Sequence, residues 1–194
     1  MLGVKESFEF LKDVSIAKWV VVKDLKDLTK FSFPCYLKAD IAEHKTEFKA
    51  VVKCNTIEEA KENLQSLHKR FPHNLILVQE NFDGIEMIVG LKEDEVFGKL
   101  LVVGFGGTFA EVKRDVSFRA LPVSRKDVIE MVSSLKGFGI FSARGKNYNL
   151  DNFYTLVEKV AYLGEKKKIK ELDLNPVIVG EKESKIVDAR MELD

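Results

Sequence analysis

Three oxygen-bearing side chains near the C-terminus are spaced to share one cation. The segments IKELDLNPVIV and KIVDARMEL read as two strands around a turn at 180–184. Residues two apart on a strand share a face, so Asp173 and Asn175 point one way and Leu172 and Leu174 the other. Counting from a turn centre near residue 182 puts Asn175 and Asp188 almost opposite each other, with Cβ atoms roughly 4.5–5.5 Å apart. Oxygens from both can bind one Mg²⁺ at about 2.0–2.1 Å and leave positions for water and phosphate. Asp173 and Asn175 read equally well as ordinary strand-end and turn residues, and Pro176 suits a strand kink or edge in either case.

Other residues have the chemistry to meet an anion. Lys38 follows the short apolar run CYL, where an ammonium can hold a phosphate as a point charge or stand solvated. VVGFGGTF carries Gly104, Gly106 and Gly107. It lacks the GK[ST] of a P-loop, and a strand follows it where a dinucleotide fingerprint has a helix. Its glycines allow either a tight bend or a close backbone approach to a ligand. Arg144 lies in a loop before a helix and can meet an anion. His44, in DIAEHKTEFK, is either an inert surface residue or a phosphoryl acceptor, because neutral imidazole is nucleophilic near pH 7.

Composition narrows the class of protein that can carry these groups. The 194 residues hold 31 Lys+Arg against 31 Asp+Glu, a formal charge of zero. That balance argues against a nucleic-acid or anionic-membrane binder, whose affinity comes from surplus positive charge. No apolar run is long enough for a membrane span, and MLGVKESFEFLKD has no apolar core of a secretory signal. Cys35 and Cys54 form neither a CxxC nor a disulfide framework, so reduced thiols in a cytoplasmic protein are expected.

Strands and helices alternate along the chain, which points to α/β or α+β. Short strands are predicted at Trp19 to Val22, Cys35 to Leu37 and Lys49 to Lys53. Thr56 with Glu59 is a capping box, opening a helix with Ile57, Ala60, Leu64, Leu67 and Phe71 on its apolar face. LILVQE (75–80), GIEMIVG (84–90) and KLLVVG (99–104) read as strands. AEVKRDVSFRALP alternates, which predicts a half-buried strand with Ser117 and Arg119 on its polar face and Val116, Phe118 and Ala120 on its apolar one. Ser124 with Asp127 caps a second helix. A third runs over 150–163, with Gly164 as its stop.

In order, FPCYLKAD, HKTE, LILVQENFDGIEMIVG, FGKLLVVGFGGTFAEVKRDVSFRALPV, ARG, ELDLNPV and IVDAR resemble the ATP-grasp domain of ADP-forming acyl-CoA (acetyl-CoA) synthetases. More distantly, they are similar to the succinyl-CoA synthetase β chain. The resemblance implies an α+β ATP-grasp fold, two lobes with antiparallel sheets clamping a nucleotide, placed here at about 1–78 and 79–194. It implies that Lys38 contacts the phosphates of ATP or ADP, that Gln79 and Glu80 lie where adenine stacks, and that Glu86 faces the nucleotide. Gly106, Gly107 and Arg144 join this nucleotide set. It further implies that Asn175 and Asp188, with Asp173 beside them, hold Mg²⁺, and that His44 relays phosphate. The family reaction is acyl-CoA + ADP + phosphate ⇌ carboxylate + CoA + ATP. No CoA-binding motif is evident here, so a CoA-binding α subunit is the expected partner, in an α₂β₂ assembly. HKTEFKAVVK lacks the glycine pair usual after the HK motif. The alternatives are therefore a nucleotide-binding subunit without catalysis, or another ATP-grasp carboxylate ligase.

Overall fold

The computed structural model describes residues 1–41, 49–107 and 115–193, with the side chain of Arg144 excepted. The chain forms two compact units, one of residues 3–6 and 17–81, the other of residues 1–2, 7–16 and 82–194.

The first unit is built on strands β1 (Trp19–Val21), β2 (Cys35–Ala39), β3 (Val51–Cys54) and β4 (Ile76–Glu80). They pair antiparallel in the order β1-β4-β2-β3. Helix α2 (Ile57–Arg70) covers one face, the short helix α1 (Val4–Phe10) having come first in the chain. Thr56 caps α2 by accepting the N–H of Glu59 at 3.2 Å. The Glu59 carboxylate instead takes the N–H of Asn55 at 2.7 Å, so the reciprocal half of the expected box closes one residue early. Ala60, Leu64 and Leu67 of α2 pack with Cys35, Leu37, Ala39, Ile76 and Val78 of the sheet. Alternation then sends Trp19, Tyr36, Lys38, Leu77 and Gln79 to the opposite face.

A 3₁₀ helix, Leu25–Lys30, precedes β2 and was not evident in the sequence. Its Asp27 carboxylate binds Lys30 Nζ at 2.6 Å and the backbone N–H groups of Lys23 and Asp24 at 2.8 and 3.2 Å. These bonds, the lysine first, hold its pKa down at about 2.

The second unit has a sheet ordered β10-β8-β5-β6-β7, with β9 also paired to β8. Its strands are β5 (Ile85–Asp94), β6 (Gly98–Phe105), β7 (Val116–Ala120), β8 (Ile169–Val179), β9 (Ser184–Ile186) and β10 (Arg190–Leu193). Helices α3 (Arg125–Ser133) and α4 (Leu150–Lys166) pack on one face. They are clasped by Arg125, which binds Asp151 at 2.5 Å and also Glu158. Met87, Val89, Leu91, Leu101, Val103, Leu172 and Leu174 point toward the helices and are buried. The six-stranded sheet has no helix of α3 or α4 on its other face.

Three expectations are corrected. The apolar side of β7 is the open one: Val116 is 37% and Phe118 56% exposed, while Arg119 turns to the helix side and binds Asp127 and Glu130 of α3. A guanidinium with two carboxylates waiting on the packed side outweighs the alternation rule. Helix α4 does not stop at Gly164 but runs on to Lys166. Gly164 serves packing, because a Cβ there would meet Leu91 and Leu121 at 2.9–3.0 Å. Arg144 lies in a 3₁₀ helix, Phe138–Gly145, rather than a loop. Among the described residues no helix is long and apolar enough to cross a membrane.

The depressed Asp27 pKa sets a sign for acid unfolding. A carboxyl held below its ordinary value of 3.8 stabilises the fold fully above that pH and loses this contribution as pH falls through about 2. Asp27→Asn should therefore be less stable than wild type at pH 7, with the gap closing between pH 4 and 2. Urea melts across that range will measure it.

Candidate functional site

The site residues divide between the two sheets. In the first unit, Lys38 is the fourth of the five residues of β2, paired with Val51 on one side and Leu77 on the other, and is 4% exposed. Gln79 lies two residues beyond Leu77 on the same face and is 1% exposed. Its cross-strand neighbours are Trp19 of β1 and Tyr36 of β2. Among the described residues, both its Oε1 and its Nε2 are buried without a hydrogen-bond partner. A buried amide normally finds partners, so two orphaned atoms beside a lysine mark a place built for another molecule's polar groups.

Glu80 does not share that face. As the next strand residue it turns the other way, and its Oε1 accepts the N–H of Lys18 at 2.7 Å. With Asn81, Phe31, Phe33, Pro34 and Lys18 it lines a cleft of about 280 Å³ at the ends of β1, β2 and β4. The Lys18 ammonium sits 4.9 Å over the Phe31 ring and donates to the Lys30 carbonyl at 2.9 Å.

In the second unit, register arranges the helix-free face in rows. Glu86 stands between Ile178 of β8 and the N–H of Gly106, which donates to the Glu86 carbonyl at 2.8 Å. Gly107 takes φ +62°, and a Cβ there would collide with the Glu86 carboxylate. Two residues along β5, Ile88 faces Gly104, which faces Val116. Two further along, Gly90 lies between Asp173 and Val102.

The metal candidates sit where this ladder breaks. β8 pairs with β9 through Val177 and Ile186, and with β10 through Asp173 and Arg190. The same register holds on both sides of the break, and carried across it the count matches Asn175 with Asp188, which lies in the connection between β9 and β10. Leu174 and Val177 are both buried, as are Ile186 and Ala189. Two residues, not one, therefore separate inward-facing side chains on each strand. Against β5 this is a bulge, with Asn175 and Pro176 facing Ile88 alone. Pro176 has no N–H to lose there, and its carbonyl accepts the Val187 N–H at 3.0 Å. Asn175 is exposed, and Asp173 and Asp188 are half-buried.

An amide oxygen and a carboxylate oxygen across one pair of strands are hard donors, and they suit Mg²⁺. Among the described residues no group of three or more His, Cys, Asp or Glu forms a metal cluster, so a cation here would complete its shell with water or phosphate. His44 lies outside the described residues. Arg144 has its backbone in the 3₁₀ helix Phe138–Gly145, and its side chain is not described. Trp19 opposite Gln79, and Arg190 opposite Asp173, were not singled out from the sequence. The turn-centre count that pairs 175 with 188 would also have paired 173 with 190.

The fold of each unit is matched by known proteins. The model of the ATP-grasp domain matches residues 8–193, and the chain belongs to that family. It is 34% identical over 172 residues to the ADP-forming acetate–CoA ligase II of Archaeoglobus fulgidus, covering 86% of this chain and 26% of that protein. It is 41% identical over 113 residues to the β subunit of the ADP-forming acetate–CoA ligase I of Pyrococcus furiosus, covering 57% and 49%. The chain thus spans at most about half the length of these relatives. Among solved structures it is similar to an acetyl-coenzyme A synthetase of Ca. Korarchaeum cryptofilum in complex with coenzyme A and Mg-AMPPCP. The TM-score is 0.86 at 30% identity, over 98% of this chain and 92% of that one. A Pyrococcus horikoshii structure matches with a TM-score of 0.88 at 29% identity, over 100% and 91%.

The orphaned amide yields a stability test. Each unsatisfied buried polar group costs about 1–3 kcal/mol. Gln79→Leu should therefore raise the Tm of the ligand-free protein, by about 2–4 °C for each kcal/mol relieved. Calorimetric melts will read this, and a lowered Tm would show that the amide is satisfied after all.

Proposed function

We propose that this chain is the nucleotide-binding ATP-grasp part of an ADP-forming acyl-CoA synthetase, acting in the cytoplasm with a CoA-binding α subunit in an α₂β₂ assembly. The overall reaction is acyl-CoA + ADP + phosphate ⇌ carboxylate + CoA + ATP. The observation that carries this reading is the opposed Asn175–Asp188 pair on the open sheet face of an ATP-grasp chain. The naming of relatives as ADP-forming acetate–CoA ligases and as β subunits supports the reaction and the partner.

On this reading Asn175 and Asp188 hold Mg²⁺, with Asp173 beside them. Held by these residues, a bound Mg²⁺ would supply compensation for phosphate charge. Lys38 holds phosphate as a point charge, and the backbone of Gly106 and Gly107 lets phosphate come close. Arg144 supplies a further cation. Gln79 meets the polar edge of the base, and Glu80 lines the aromatic cleft beside it. Glu86 faces the nucleotide from β5. His44 carries the phosphoryl group between nucleotide and partner, so acyl-CoA chemistry proceeds on the other chain. Positioning and charge neutralisation are the main work of such a site.

Calorimetry with ADP tests the metal site. With Mg²⁺ present, Asp188→Ala and Asn175→Ala should each weaken ADP by about 10-fold or more, the scale of losing a group that supports a metal. Without Mg²⁺ the variants should match wild type. Affinity that ignores both Mg²⁺ and Asp188 would remove the site. Trp19, the single tryptophan, should change its fluorescence on binding. With the CoA-binding chain added, His44→Ala should abolish turnover and spare ADP binding. Binding without turnover in the wild type would mark a nucleotide-binding subunit that has lost catalysis.

A further inference from the structure

We propose that Arg190 is a catalytic residue that grips the terminal phosphate of the Mg-nucleotide, with Asp173 as its positioning residue. The proposal rests on the nucleotide-binding reading above. It starts from the order of rows on the open face of the six-stranded sheet. The Glu86 row comes first after residue 82, where the chain enters this unit. The Ile88 row follows, facing the bulge that carries Asn175 opposite Asp188. The third row runs Arg190, Asp173, Gly90, Val102, Phe118 across five strands without interruption. Successive rows are two residues apart, about 6.8 Å along an antiparallel strand.

Of the two rows that flank the metal row, the first offers the Glu86 carboxylate and the third the Arg190 guanidinium, so the last phosphate of a metal-bound nucleotide is drawn toward the third. Arg190 is the cation in that row. It lies two residues from Asp188, and its neighbours Ala189 and Met191 are both buried on the helix side, so its own side chain belongs to the open side. Asp173 directly opposite is a carboxylate suited to a guanidinium at cross-strand distance. Gly90 on the far side of Asp173 adds no side chain to crowd the row, and a Cβ there would meet the Leu172 carbonyl at 2.9 Å.

Charge makes the same demand. Asp173 and Asp188 place two negative charges where a polyphosphate must arrive, and a divalent cation alone leaves the terminal phosphate poorly compensated. A planar guanidinium binds phosphate oxygens two at a time. Loose phosphoryl-transfer transition states gather charge on those same oxygens.

The test compares nucleotides that differ by one phosphate. Affinities for Mg-AMPPCP and Mg-ADP are measured by calorimetry and by Trp19 fluorescence on wild type, Arg190→Ala, Arg190→Gln, Arg190→Lys and Asp173→Asn, with thermal melts to confirm folding. Loss of the guanidinium should weaken AMPPCP by about 10- to 100-fold and ADP by less than about 3-fold. Arg190→Lys should recover part of the loss, and Asp173→Asn should weaken AMPPCP by several-fold with the same selectivity. Equal losses for both nucleotides, or AMPPCP affinity unchanged in the Ala and Gln variants, would overturn the assignment. Wild type that binds neither nucleotide would overturn the underlying nucleotide reading instead.

Discussion

The site depends on a paired departure from the β ladder. A strand with strict alternation can send a polar residue outward only at every second position. β8 needs Leu172, Leu174 and Val177 inward to bury their side chains against the core, and the β9–β10 stretch needs Ile186, Ala189 and Met191 inward. One extra residue on each strand at the same level satisfies both demands. The register is restored beyond the break, and two polar residues are left facing each other. A bulge on one strand alone would slip the register and turn one of the two rows over. Asp188 lies in the short connection 187–189 between β9 and β10, and the paired, buried strands on either side fix where that connection runs.

Burial on the first sheet follows a different logic. The face packed on α2 carries the apolar core, while the other carries Lys38 and Gln79 at 4% and 1% exposure. Burying an amide is unfavourable unless it is paired, and the Gln79 amide has no partner among the described residues. A sequence selected for stability alone would place an apolar residue at 79, and the fold tolerates the cost because the α2 side supplies a well-packed core.

How much of this was legible in the sequence varies with how local the cause is. The turn at 180–184 is short, so counting outward from it gave the Asn175–Asp188 pair. The caps at Thr56 and Ser124 depend on three or four residues and were readable. The resemblance implies one adenine site for Gln79 and Glu80, yet a strand sends neighbours to opposite faces, and only the sheet register shows which face each takes. β7 misled for a tertiary reason: Asp127 and Glu130 draw Arg119 to the helix side, and the apolar residues are turned out. The 3₁₀ helix at Leu25–Lys30 has no apolar periodicity and is held by a capping box of two carboxylates, Asp24 and Asp27, so a count of apolar spacing passes over it.

The glycines resolve in the same physical terms. Bend and ligand approach were equally open readings of VVGFGGTF. At Gly104 a Cβ would lie 2.5 Å from Val116 Cγ1 and 2.8 Å from the Asp115 carbonyl, so neighbour packing alone demands glycine. Gly107 differs, because its positive φ belongs to a turn and the Glu86 carboxylate folds over it. The Asp115 carboxylate takes the N–H groups of Lys136 and Gly137 at 2.9 and 2.8 Å, which fixes the start of β7. Gly106 N–H on the Glu86 carbonyl anchors the end of β6. Close packing of β6 on β7 thus requires Gly104, and in the same row it leaves Ile88 and Val116 as the side chains on the open face. One small residue is demanded here by its neighbours on the sheet, whatever the face goes on to bind.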